Sequence, residues 1–138
     1  EVGDRFNIAL AAETLGNVAR ARGDFESARE LYNESLAIDW ELGSKWHLAY
    51  ALEGMGYLEV IQGTPARALK LLAAAGELRQ SIGSPLPAGG QAELDEMLLL
   101  ARQQLDEHQQ NAAWMEGQAF TLEQAVRYAL YGDVEVVS

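Results

Sequence analysis

The sequence predicts an all-α chain, and three observations carry that prediction. Helix-favouring Ala and Leu (22 and 20) outnumber the β-branched Val, Ile and Thr (14 together) three to one. Apolar residues return at helical spacing in blocks of 16 to 18 residues, parted by the Gly-containing breaks Arg22-Gly23-Asp24, Leu42-Gly43-Ser44, Gln62-Gly63-Thr64 and Ile82-Gly83-Ser84. All three prolines, Pro65, Pro85 and Pro87, fall at turns and break no helix interior.

The first four elements follow from these breaks. Each Gly stands where a helix end wants positive φ, and Asp24, Ser44 and Thr64 follow as N-caps. Four antiparallel helices are expected over 5–22, 25–42, 45–62 and 65–82. Ser84-Pro85-Leu86-Pro87-Ala88-Gly89-Gly90 then reads as a turn-rich break. It leads into an acidic helix over 91–107, with Leu94, Met97, Leu98, Ala101 and Leu105 on one face. A shorter segment over 109–117 carries Trp114. Thr121-Leu122-Glu123-Gln124 has the spacing of a capping box for a last helix to Tyr131. Residues 132–138 are expected to be a frayed tail.

An internal repeat organises the first 84 residues. At an offset of 40 the positions at which the chain matches itself include Ala9/Ala49, Ala11/Ala51, Glu13/Glu53, Gly16/Gly56, Gly23/Gly63, Ala28/Ala68, Leu31/Leu71, Gly43/Gly83 and Ser44/Ser84. Small residues recur where neighbouring helices would approach, Gly16/Gly56 in the first helix of each pair and Ala28/Ala68 in the second. Leu15-Gly16, Gly23-Asp24-Phe25, Ala28 and Tyr32, followed by Met55-Gly56, Gly63-Thr64-Pro65, Ala68 and Leu72, resemble the tetratricopeptide repeat. The period, about 40 residues, is longer than the family's usual 34. The resemblance implies a superhelix of two antiparallel helix pairs over 1–84, closed by C-terminal capping helices over 85–131.

A second resemblance lies in Leu71-Leu72-Ala73-Ala74-Ala75, Ile82-Gly83-Ser84-Pro85-Leu86-Pro87, Ala113-Trp114-Met115-Glu116-Gly117 and Leu122-Glu123-Gln124-Ala125-Val126. These segments look like the C-terminal end of large bacterial regulators: signal-transduction NTPases and LuxR-like transcriptional regulators, in which a nucleotide-binding module precedes tetratricopeptide-type repeats. It implies that these residues belong to a longer polypeptide, whose NTPase or DNA-binding domains lie upstream. A start at Glu1 rather than Met is consistent with that.

Composition narrows the function. With 138 residues, folding can bury about 70% of the unfolded surface, so neither a disulfide nor a structural metal is needed. Ten Lys and Arg against 21 Asp and Glu leave a net charge of -11, which repels phosphate backbones and anionic lipid, so neither nucleic acid nor membrane is an expected partner. There is no cysteine, which removes thiolate metal sites and cysteine nucleophiles and is compatible with a reducing cytosol. A cytoplasmic protein is expected. No P-loop, Gly-x-Ser-x-Gly or His-Glu-x-x-His run occurs.

Of the two histidines, His47 reads as a surface or interface group. His108 follows Asp106-Glu107, but successive helical residues point about 100° apart and do not converge on one ion, so a solvated helix end is expected. Glu93/Asp95/Glu96 and Glu26/Glu30 read as solvated acidic faces, since a general acid needs burial or a close like charge. No catalytic residue, metal or cofactor is expected.

The remaining chemistry lies on the inner face of the repeats. In tetratricopeptide domains the first helix of each pair lines a groove for an extended peptide or a partner helix. Matching Gly16 and Gly56 to the family's glycine implies a lining of Leu10, Glu13, Asn17, Arg20 and Ala21, then Tyr50, Glu53, Tyr57, Val60 and Ile61. Glu13, Asn17, Arg20, Tyr50, Glu53 and Tyr57 are the candidate site. Asn17 matches an asparagine that in many such domains clamps a ligand backbone, because an amide both donates and accepts. Three functions follow as expectations. One is a non-catalytic module that binds a protein or peptide partner. Another is self-association into a homodimer through the apolar first helix (Phe6, Ile8, Leu10, Leu15, Val18). The third is a small-molecule effector site among Trp40, Trp46, Tyr50 and Tyr57.

Overall fold

A computed structural model describes residues 1–132, and every described element is helical: α1 (Val2–Ala21), α2 (Phe25–Leu42), α3 (Lys45–Ile61), α4 (Pro65–Ile82), α5 (Ala88–Arg102), α6 (Glu107–Ala119) and α7 (Leu122–Tyr131). The expected tail lies outside the described residues from 133 onward.

Four turns close on one pattern. Gly23, Gly43, Gly63 and Gly83 all have φ between 64° and 83°, a region that costs other residues a Cβ clash. The next residue's N–H in each case bonds five residues back: Asp24 to Ala19, Ser44 to Asp39, Thr64 to Glu59 and Ser84 to Arg79. The first three turns fold α1 onto α2, α2 onto α3 and α3 onto α4. Asp24 caps α2 through Ser27 N–H. Ser44 and Thr64 hold the N-cap positions of α3 and α4 but do not cap with their hydroxyls, contrary to expectation. The Ser44 hydroxyl pairs with His47 Nδ1 at 2.5 Å, and Thr64 Oγ1 donates to the Glu59 carboxylate, a charge-assisted bond that sets the orientation of the hydroxyl.

The small residues at the repeat offset allow close packing. A Cβ on Gly16 would lie 2.8 Å from the Tyr32 ring, one on Gly54 2.6 Å from the same ring, and one on Gly56 2.7 Å from Leu72. Tyr32 is therefore wedged between α1 and α3, and Leu72 takes the equivalent place in the second pair. Ala28 and Ala68 are fully buried.

The last three helices differ in extent from expectation. α5 spans Ala88–Arg102 rather than 91–107, because Pro87 takes the N-cap position and Gly89-Gly90 are absorbed into the first turn. It ends early because Asp106 starts a new helix: Asp106 and Gln109 form a reciprocal capping box that makes α6 longer than the 109–117 segment expected. The Thr121/Gln124 capping box is present as expected.

Two apolar clusters follow. One joins Leu36, Leu48, Met55, Leu58, Leu71 and Leu78 to Ala125, Val126 and Ala129 of α7. The other joins Tyr57, Val60, Leu69 and Leu72 to Leu98 and Ala101 of α5 and Ala113 of α6. Residues 88–131 thus cover the hairpin α3/α4. No described helix is long and apolar enough to cross a membrane.

Candidate functional site

All six candidate residues line one cavity. Glu13, Asn17 and Arg20 come from successive turns of α1, and Tyr50, Glu53 and Tyr57 from α3. Gly54, Leu86, Gly90 and Glu93 complete a space of about 190 Å³. Sequence spacing explains the convergence: 13, 17 and 20 lie on one helical face, as do 50, 53 and 57, and the two faces are brought together by the repeat. Three of these lining residues come from outside both repeats. Leu86, Gly90 and Glu93 reach the site because the 83–87 connection and the first turns of α5 fold over it, a long-range contact with no local signal.

The other expected lining residues lie elsewhere. Leu10 and Ile61 are exposed, Ala21 ends α1 in solvent, and Val60 is buried beneath α5.

The site's polar groups are tied into networks. Tyr32, itself fully buried, donates its hydroxyl to Asn17 Oδ1 at 2.6 Å, and Asn17 Nδ2 donates to Glu13 Oε1 at 3.3 Å. The Asn17 amide oxygen is thus engaged by the fold, and what it can offer a ligand is its remaining N–H. Burial raises the Glu13 pKa, against the lowering effects of the Asn17 hydrogen bond and the His47 charge. Arg20 lies 5.1 Å over the Tyr57 ring and 3.8 Å from Glu93. Burial, with the Glu53 and Glu93 charges, pushes the Tyr57 hydroxyl well above its ordinary range, so it stays a proton donor.

Beneath the cavity Glu53 and Arg79 form a bidentate pair, Nε to Oε2 at 2.5 Å and Nη2 to Oε1 at 2.8 Å, both side chains about nineteen-twentieths buried. Arg79 also donates to the Ser84 carbonyl and stacks 4.4 Å over the Tyr50 ring. With Glu53 neutralised and Arg20 facing Glu93, Glu13 is the carboxylate of the site that makes no ion pair among the described residues. The lining therefore offers one open carboxylate acceptor, Glu13, beside the Asn17 amide and the Tyr57 hydroxyl as donors.

A second, larger space of about 430 Å³ lies across Leu86 from the first. Its lining includes Leu72, Gly76, Leu86 and Leu94, with Arg79, Gln80 and Gln91 among its polar side chains and Glu53 shared between the two. Trp40 and Trp46 line neither space and are 41% and 47% exposed; Trp46 packs edge-on against Tyr50.

Buried acids also occur where sequence reasoning did not look for them. Glu59 is held by Arg29, Arg67 and Thr64, and Asp39 lies 1% exposed beside Ser35. Glu93, Asp95, Glu96, Glu26 and Glu30 are exposed, as is His108. Among the described residues no three of His, Cys, Asp and Glu are gathered so as to hold a metal ion.

Compared with protein-family models, with curated proteins and with solved structures, the chain matches none of them.

Proposed function

We propose that the chain is a non-catalytic interaction and sensing module that binds a segment of a partner protein in the α1/α3 site. It would serve as the C-terminal, tetratricopeptide-like part of a larger bacterial transcriptional or signalling regulator, acting in the cytoplasm. One observation carries the reading: side chains from equivalent turns of two repeated helices converge on a single polar cavity. Its chemistry suits a peptide. The Glu13 carboxylate accepts a backbone N–H or a cationic side chain, Asn17 and Tyr57 donate to backbone carbonyls, and the Tyr50 and Tyr57 rings supply apolar surface.

Leu86, Gly90 and Glu93 roof the cavity, so a ligand longer than a few residues must lift the start of α5. Signalling then needs no further device. A partner that binds the lifted state better shifts the equilibrium by that difference in affinity, and the upstream NTPase or DNA-binding domain reads the altered position of α5.

The reading is tested by selecting binders from a random peptide display library and measuring affinity by titration calorimetry. Glu13→Gln, Arg20→Gln and Tyr57→Phe should each weaken binding about tenfold while leaving the far-UV circular dichroism unchanged. Binding that ignores all three overturns the assignment.

A second reading, a small-molecule effector site, is favoured by the 430 Å³ space, which falls within the roughly 300–1,000 Å³ usual for ligand pockets and is walled mainly by Leu72, Leu86 and Leu94. A thermal-shift screen of nucleotides, sugars and signalling metabolites tests it; stabilisation abolished by Leu94→Asp supports it, and uniform failure removes it.

A further inference from the structure

The outward face of α1 carries Ile8, Leu15 and Val18, exposed by 47%, 54% and 41%, with exposed Ala11 between them. Forty residues on, the equivalent positions of α3 are Leu48, Met55, Leu58 and Ala51, and all four are fully buried in the cluster that α2 helps to close. The stripe on α1 thus has the chemistry of a surface that another helix covers. Its flanking positions on the open side, Asn7, Thr14 and Ala21, carry no charge.

What covers it is indicated by the stripe's ends. Asp4, Ile8, Ala11, Leu15, Val18 and Arg22 are spaced 4-3-4-3-4, the alternation of a coiled-coil seam, and they fall within about 80° of one another around the helix. The seam is symmetric about residue 13. Laid antiparallel against a second copy, Ile8 meets Val18, Ala11 meets Leu15, and Asp4 meets Arg22. The two charges on the seam are of opposite sign and sit at opposite ends, which is what a two-fold axis requires for each to meet its complement. Laid parallel, Asp4 would face Asp4 and Arg22 would face Arg22.

We propose that a second copy of this chain docks on that stripe, forming a two-fold dimer through an antiparallel α1 pair. The proposal stands apart from the peptide site, because Glu13, Asn17 and Arg20 lie on the other flank of α1 and remain open to the cavity.

Sedimentation velocity from about 5 to 500 µM tests it, with circular dichroism to verify that each variant is folded; the altered side chains are exposed, so the fold should tolerate them. The weight-average mass should rise with concentration from 15.1 kDa towards twice that value. Leu15→Asp should hold the chain monomeric throughout. Asp4→Arg and Arg22→Asp should each weaken the dimer at least fivefold at low salt, and the double variant Asp4→Arg/Arg22→Asp should recover it. A monomer at 500 µM leaves the stripe to a helix of other origin and overturns the proposal. So does a dimer indifferent to Leu15→Asp, or a charge swap that fails to restore association.

Discussion

At Glu53 and Arg79 two opposite charges share a site almost without water, and each depends on the other. Removing one leaves an uncompensated buried charge, which costs about 3–5 kcal/mol, whereas replacing both with apolar residues costs much less. Arg79→Met should therefore lower stability in urea by about 3 kcal/mol, and Glu53→Leu/Arg79→Met should recover most of it. Asp39 makes a different prediction. Burial pushes its carboxyl up from 3.8 to about 6, against the His47 charge and the Ser35 hydrogen bond, with the Glu13 charge adding to the rise. Because the folded-state value lies above the unfolded one, the fold prefers protonated Asp39. That contribution, about 3 kcal/mol for a shift of roughly two units, is complete below about pH 4 and is lost as pH rises through 6. Asp39→Asn should remove this slope between pH 4 and 6 and raise Tm at pH 7 by about 5 °C. An unchanged pH profile in the variant would assign the slope to other groups. Neither site was visible in the sequence, since Arg79 stands 26 residues from Glu53 and nothing local marks either acid as buried.

Single positions also decide how elements meet. Gly117 brings α6 against α4 so closely that a Cβ would stand 2.3 Å from the Lys70 carbonyl oxygen, a backbone atom that cannot swing aside. Gly117→Ala should cost about 3 kcal/mol and unseat α6, seen as a rise in Trp114 solvent exposure by acrylamide quenching. Arg67 holds α7 in place by donating to the last carbonyls of that helix, Tyr128 and Ala129, at 2.9 Å each, while pairing with Glu59. The first four helices were legible because their signals are local: glycine at the left-handed turn, apolar spacing within a helix, and an offset of 40 that repeats both. α5 and α6 were read less well. Pro87 looked like part of a break and proved to be the position from which a helix begins, and the Asp106/Gln109 box straddled the boundary between the acidic helix expected to 107 and the segment expected from 109.

For the whole molecule, the convergence of the six candidate residues on one cavity was legible because the repeat places equivalent turns side by side, so an offset in sequence became a shared surface in space. The roof of the site was not, since Leu86, Gly90 and Glu93 arrive by a fold-back of the chain. That roof makes the molecule more than two stacked hairpins: α5 lies over the polar cavity, α6 on α4, and α7 among α2, α3 and α4. A net charge of -11 adds a salt dependence. A cationic peptide should bind more weakly as ionic strength rises from about 20 to 200 mM, while the α1 pair, held mainly by apolar contact, should lose little.

The central claim, that the α1/α3 cavity is where a partner binds, is tested most directly by mapping amide chemical-shift changes while titrating the tightest display-selected peptide into the labelled protein. Changes should concentrate at Glu13, Asn17, Arg20, Tyr50, Glu53 and Tyr57 and extend to Gly90 and Glu93 as the roof lifts. Changes confined to another surface, such as the α1 stripe, would contradict it.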